Sequence, residues 1–302
     1  MTEALRTPDD RFAGLPGFEF EPRYLEDLEG FAGLRLHYLD EGPADASETF
    51  VCLHGQPTWS FLYRKMIPVF TAAGHRAVAP DFYGFGRSDK PVDEAVYSFD
   101  FHRRTLLAFL DRLELRHVTL VAQDWGGLIG LTLPMAMPDR IDGMLLMNTI
   151  LATGDLPLSQ GFVEWRAWCR RHPDMDVAAL MGRACPRLTP QERAAYAAPF
   201  PDVHYKAGVR RFPELVPEGP DDPGAELSRQ ARIWLANDWA GRSFFAVGAR
   251  DPVLGRPAMR YLQRFVRNSP EPLVLSEAGH FVQEWGEEVA AAALRAFAEE
   301  ER

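Results

Sequence analysis

The hydrophobic and polar positions of this chain change period repeatedly, and the changes mark its elements. Residues 23–40 hold two short apolar stretches around Glu29-Gly30, then LRLHYLDEG with partial alternation, which predicts an opening antiparallel hairpin. Residues 49–53 (TFVCL) form a continuous apolar run ending at His54-Gly55, as suits a strand buried on both faces of a sheet. Residues 60–73 read as helical, 76–80 (RAVAP) as a strand ending at Asp81, and 82–91 (FYGFGRSDKP) as a glycine-punctuated loop. The spacing of Phe101, Leu106, Leu107, Phe109, Leu110 and Leu113 predicts a helix over 98–114. A strand over 118–123, a helix over 126–137 and a strand over 143–150 follow.

There the alternation breaks. From about 152 to 225 the chain gives helical segments rich in Trp, Arg and Pro, with no buried strand. It resumes with a helix over 226–237, a strand over 243–251, a helix near 257–267, a strand over 272–280 and a last helix over 284–300. Alternating strands and helices predict an α/β fold, a mostly parallel sheet flanked by helices. Residues 1–151 and 226–302 would form that core, and 152–225 an inserted helical cap.

Composition narrows the partners. The chain has 302 residues, 46% hydrophobic and 25% charged, which is ordinary for a globular protein. Its 33 basic and 43 acidic residues leave a net charge of −10, which argues against nucleic acid and anionic membranes as partners. The three cysteines, Cys52, Cys169 and Cys185, have neither the number nor the spacing of a disulfide framework or zinc site. The N-terminal MTEALRTPDDRF lacks the apolar core of a signal peptide, and no window reaches transmembrane length, so the cytoplasm is the expected location.

The chemistry concentrates at strand ends. Ala122-Gln123-Asp124-Trp125-Gly126 follows a strand, precedes a helix and has the form small–x–acid–x–small. That is the form of the nucleophile elbow, with Asp where Ser usually stands. The competing reading is that Asp124 caps the helix. Two further residues decide between them. Asp251 follows the strand FFAVGAR, and His280 lies in EAGHF after the last strand. Nucleophile, acid and base then follow one another in the order seen in α/β-hydrolases. The loop HGQPTW after residues 49–53 would supply one oxyanion-hole N–H from Gln56, and Trp125 the other. His54 reads as structural, and Pro57 as a residue that fixes an unusual peptide geometry at 56–57.

An Asp is already ionised at neutral pH, so its attack needs no base. Displacement at saturated carbon leaves an ester on Asp124. His280 then takes a proton from the water that hydrolyses it, and Asp251 holds the imidazole. No metal or organic cofactor is required. A halide leaving group needs donors in a dry pocket. The Trp125 indole is placed for this, with Trp165 or Trp168 of GFVEWRAW as a second donor. An epoxide would instead need an acid such as Tyr196 or Tyr205.

The segments HGQPTWS, DFYGFGRSDKP, VAQDWGG, GFVEW, YAAPFPD, GVRRFPELV, ANDW, GARDPVLG and AGHFVQEWGE together resemble the haloalkane dehalogenases over nearly the whole chain. The resemblance is nearest to the subgroup that takes its second halide-binding Trp from the cap. It implies the α/β-hydrolase fold, with Asp124 as nucleophile, Asp251 as acid and His280 as base. It implies Trp125 and Trp165, not Trp168, as halide ligands. It implies Phe162, Phe212, Pro213 and Val216 as pocket residues. The expected partners are a small apolar halogenated substrate and a halide ion, and the expected state is a monomer. Gln before the nucleophile separates QDWGG from epoxide hydrolases and fluoroacetate dehalogenases, which commonly carry His there. Gln56 departs from the Glu that the nearest subgroup often carries, and the segment between Asn148 and Phe162 is short.

Overall fold

The computed structural model describes residues 2–300. The strands, in chain order, are β1 (Ala4–Leu5), β2 (Arg23–Leu25), β3 (Leu36–Glu41), β4 (Thr49–Leu53), β5 (Arg76–Pro80), β6 (Lys90–Pro91), β7 (Val118–Gln123), β8 (Ile141–Met147), β9 (Arg242–Gly248) and β10 (Leu273–Leu275). The helices are α1 (Ile67–Ala72), α2 (Phe99–Arg112), α3 (Trp125–Gly130), α4 (Leu133–Ala136), α5 (Gln160–Arg171), α6 (Val177–Ala184), α7 (Pro190–Ala197), α8 (Ala207–Arg211), α9 (Ala225–Asn237), α10 (Arg256–Gln263) and α11 (Gly286–Glu300).

Eight strands form one sheet in the order β10-β9-β8-β7-β4-β5-β3-β2. From β10 to β5 neighbours are parallel, and β3 and β2 are antiparallel at one edge. The central strands β4 and β7 are buried along their whole length, which is why both read as unbroken apolar runs. Helices α1 and α11 pack on each other and on β5 and β9, while α3 packs on β4, β7, α2 and α4. The expected opening hairpin is the β2–β3 pair. The small β1–β6 sheet had no counterpart in the hydrophobic pattern.

Two expected helices are shorter or divided. Residues 60–63 form a tight 3-10 turn, and α1 begins only at Ile67, with Pro68 in its first turn. The helix expected over 126–137 is two pieces, α3 and α4. Between them the Thr132 hydroxyl bonds back to the Ile129 carbonyl at 2.7 Å, and Pro134 supplies no N–H to continue the ladder. Strands β8, β9 and β10 end before the strands expected over 143–150, 243–251 and 272–280 do. Ladder pairing stops at Met147, Gly248 and Leu275, and the loops beyond mix buried residues such as Asn148 and Asp251 with exposed ones such as Arg250, Ser276 and Glu277. Helices α5 to α8 lie between β8 and α9 in the chain. No helix among the described residues is long and apolar enough to cross a membrane. Cys52, Cys169 and Cys185 are free and buried.

Candidate active site

Parallel register brings the site together. Leu53 of β4 lies opposite Ala122 of β7, so the loop carrying Gln56 and the turn carrying Asp124 leave the sheet side by side. Gln123 pairs with Met147, Met147 with Ala246, and Gly248 with Leu275. Asn148, Asp251 and His280 therefore follow along the same edge. The chain goes from β4 to β5 on one side and returns to β7 on the other, so Asp124 sits at the point where strand order reverses, the usual ligand crevice of such sheets.

Asp124 has φ 50° and ψ −125°, and its side chain makes no capping bond to α3. The cap reading therefore fails: the backbone is held in a rare conformation, and the side chain caps none of the N–H groups further into the helix. Glycine is required around it. A Cβ on Gly126 would run into the Leu53 carbonyl, and one on Gly55 into the Asp124 carboxylate. The Gln56 N–H donates to Asp124 Oδ2 at 2.8 Å, and the Trp125 N–H also reaches the carboxylate. The Gln56–Pro57 peptide is cis. The Gln56 side chain turns the other way and donates through Nε2 to the Val209 carbonyl on α8 at 3.1 Å, so it plays no part at the carboxylate.

His280 Nε2 lies 3.8 Å from Asp124 Oδ1, and its Nδ1 lies 2.7 Å from Asp251 Oδ2. The Asp251 side chain is almost fully buried and also accepts from the Val253 N–H at 2.8 Å. Burial pushes the Asp124 carboxyl up, and the partial relief from His280 and the two backbone N–H groups does not cancel it. Burial raises Asp251 too, but there His280 and the hydrogen bonds outweigh it and the net shift is downward. Burial alone would lower His280. Asp251 first, then Asp124, overcome this and raise it to about 9.

These groups open into a cavity of about 1080 Å³. Asp124, Trp125, Asp251 and His280 line it, with Phe162, Trp165, Trp168, Pro213 and Val216. Phe212 does not. It is fully buried behind Trp125, with ring centres 4.7 Å apart, and braces the indole from outside the cavity. Trp165 and Trp168 stack 5.4 Å apart, both facing the space. Among the described residues, neither the Trp125 nor the Trp165 indole N–H has a hydrogen-bond partner, and no cluster of His, Cys, Asp or Glu is placed to hold a metal ion.

The α/β hydrolase fold family model matches residues 48–287. A haloalkane dehalogenase of Psychrobacter cryohalolentis is 44% identical, with 95% of each chain covered. Haloalkane dehalogenase 1 of Mycobacterium tuberculosis is 42% identical over 93% of this chain and 94% of its own. This chain belongs to the haloalkane dehalogenases. A solved dehalogenase from Paraglaciecola agarilytica, described as tetrameric, superposes with a TM-score of 0.95 at 49% identity, covering 97% of this chain and 98% of its own.

Several residues at this dehalogenase site escaped the sequence reading. Asn148 Nδ2 donates to Asp251 Oδ2 at 2.8 Å, and its Oδ1 accepts from the Gly248 N–H at 2.9 Å, tying the acid's carboxylate to the end of β9. The Thr149 hydroxyl donates to the Asp124 carbonyl at 2.8 Å. Gln123 Nε2 donates to the His280 carbonyl at 3.1 Å and lies 2.8 Å from its Nε2. A polar pair, Asn148-Thr149, at the end of the apolar GMLLM was the available signal. His54 is structural as expected, bonding Gly55 O through Nδ1 and accepting the Phe82 N–H at Nε2. Neither Tyr196 nor Tyr205 lines the cavity. Tyr196 is buried elsewhere and donates to Glu284 at 2.5 Å. Tyr261 does line it, but its hydroxyl is engaged by Arg232 at 3.2 Å.

Proposed function

We propose that Asp124 is the alkylating nucleophile, His280 the base and Asp251 the acid that holds it, in an enzyme that hydrolyses carbon–halogen bonds. A haloalkane and water give an alcohol, a halide ion and a proton. Asp124 Oδ2 is occupied by the Gln56 N–H, so Oδ1, on the His280 side, is the attacking oxygen. Oδ1 forms the bond to carbon as the carbon–halogen bond breaks, and the electron pair leaves with the halide. The Trp125 and Trp165 indoles, whose N–H groups have no partner among the described residues, receive it.

Esterification leaves Oδ2 as the ester carbonyl oxygen, already bonded by the Gln56 N–H, with the Trp125 N–H also at the carboxyl group. His280 Nε2 takes a proton from water as the water oxygen bonds to the Asp124 carboxyl carbon, and Asp251 stabilises the resulting imidazolium. The tetrahedral intermediate collapses, the alkoxide takes the proton from His280, and the restored Asp124 loses its own to solvent. Phe162, Pro213 and Val216 make the apolar wall, and residues 152–225 act as the cap that closes the cavity.

The observation that carries the assignment is the split environment of one carboxylate: one oxygen accepts the Gln56 backbone N–H, and the other faces a histidine that is itself held by an aspartate. The test is bromide release from 1-bromobutane, measured for wild type and His280→Phe. Wild type turns over. The variant stops at one bromide per active site and carries a butyl ester on Asp124, read by peptide mass. Opening of styrene oxide without bromide release by wild type would replace this reading with an epoxide hydrolase. The tetramer described for the Paraglaciecola relative makes oligomeric state a second measurement, by light scattering, against the expected monomer.

A further inference from the structure

The rim of the cavity carries charge that the chemistry above does not use. Helix α5 starts against the loop of the catalytic acid, for a Cβ on Gly161 would sit 2.8 Å from the Pro252 carbonyl. Its Gly161, Trp165, Trp168 and Arg171 fall at i, i+4, i+7 and i+10, one face of the helix, and all four line the cavity. From Trp165 to Arg171 the helix rises about 9 Å. Helix α6 contributes Arg183, whose guanidinium carbon lies 5.5 Å from the Trp168 ring.

These two arginines differ from their neighbours. Arg166 pairs with Glu218 at 2.7 Å, Arg170 with Glu214 at 2.6 Å, and Arg210 with Glu94 at 2.6 Å. Among the described residues Arg171 has no ion pair or hydrogen bond, and Arg183 has only its ring contact. Both are exposed. Arg250, also on the lining, is neutralised by Glu277. The one acid on the lining outside the triad, Glu164, is bonded by Gln160 and lies two helical turns back from Arg171. On a chain of net charge −10, two unpaired guanidiniums at the end of an apolar channel form a local positive site.

We propose that the cavity accepts ω-haloalkanoates, with the halogenated carbon at Asp124 and the carboxylate at the far end of the chain received by Arg171 and Arg183. This rests on Asp124 being the alkylating nucleophile. The apolar stretch holds the methylenes, and planar guanidinium forks suit a carboxylate. The reaction is unchanged in balance: an ω-haloalkanoate and water give an ω-hydroxyalkanoate, halide and a proton.

The test compares bromide release from 6-bromohexanoate, 1-bromohexane and 6-bromohexyltrimethylammonium, in wild type, Arg171→Ala/Arg183→Ala and Arg171→Glu/Arg183→Glu. The ratio of kcat/KM on the carboxylate to that on 1-bromohexane should fall about fivefold in the double Ala variant, as for two solvent-exposed charge contacts. It should fall further in the double Glu variant, where the ratio for the ammonium substrate rises. Added salt should lower the wild-type carboxylate ratio. An unchanged ratio in both variants overturns the proposal. So does an equal loss of kcat on 1-bromohexane, which would assign the arginines to bromide egress. If 1-bromohexane itself yields no bromide, the reading of Asp124 fails first and the proposal with it.

Discussion

Two carboxylates and one imidazole share a few ångströms, and their charges are linked. His280 is raised to about 9 in the free enzyme, so at neutral pH it is a cation lying between two acids. That suits the first half-reaction, which needs only ionised Asp124. Esterification then removes the Asp124 charge, one of the two influences that raise His280, and so moves it toward the neutral form the second half-reaction needs. The two steps should therefore have different pH profiles. The bromide burst in rapid-quench experiments should be flat through neutral and alkaline pH. It should fall as pH drops through the carboxyl pKa of Asp124, which burial raises above its ordinary value. Ester hydrolysis should rise with pH and level off below about 9, because the ester lacks the Asp124 charge. Hydrolysis with no pH dependence between about pH 6 and pH 10 would refute His280 as the base. Trp125→Phe separates the same steps by another route. It removes one donor to the departing halide and should slow the burst by about two orders of magnitude, while the backbone N–H that serves ester hydrolysis stays in place.

At the scale of elements, the strand-to-helix turn explains why so much of this site was readable from sequence. Gly126 has to be small because the Leu53 carbonyl of the neighbouring strand lies where its Cβ would be. The pattern around Asp124 thus records a steric demand, and the apolar runs of β4 and β7 record burial on both faces. Gly126→Ala should destabilise the fold by about 1–3 kcal/mol, seen as a lower denaturation midpoint, and should shift Asp124 and reduce the burst. Wild-type stability with a normal burst would show that the turn has room to spare. What stayed hidden was of another kind. Asn148 acts through hydrogen bonds to groups far away in sequence, and Phe212 is separated from the cavity only by the thickness of Trp125. The strand ends were misplaced because backbone pairing sets them, and it stops at Met147, Gly248 and Leu275 with no matching change in the residue pattern. The break between α3 and α4 depended on a side-chain bond from Thr132 that periodicity does not register.

Across the whole molecule, the helices between β8 and α9 are tied to the sheet core by a buried ionic cluster that lies apart from the cavity. Arg64, after the turn at 60–63, donates to both oxygens of Glu284 at 2.8 and 2.9 Å and to Glu192 on α7 at 2.7 Å. Lys65 also reaches Glu284, and so does the Tyr196 hydroxyl from α7. Burial would raise both acids, but the cations and, at Glu192, the Thr189 N–H outweigh it, so Glu284 is lowered and Glu192 is held at about 2. The Arg64 and Glu284 side chains are almost inaccessible to water, so removing one leaves the other desolvated and short of its main partner. Glu284→Ala should then cost about 3–5 kcal/mol, or roughly 10 °C in Tm for a chain of this size. Replacing both, as Arg64→Met with Glu284→Leu, should recover much of that loss, since neither inaccessible charge remains and the more exposed Glu192 and Lys65 still lie 3.8 Å apart. Calorimetry of the three proteins decides the point. A double variant less stable than Glu284→Ala would mean that the pair contributes net stability, not only a geometry that the desolvation cost protects. Because Tyr196 and Glu192 both belong to α7, bromide-release kinetics of the double variant would also report how firmly that helix must be held. If the apolar replacement restores Tm but raises KM, the cluster's role is to fix where α7 sits relative to the sheet.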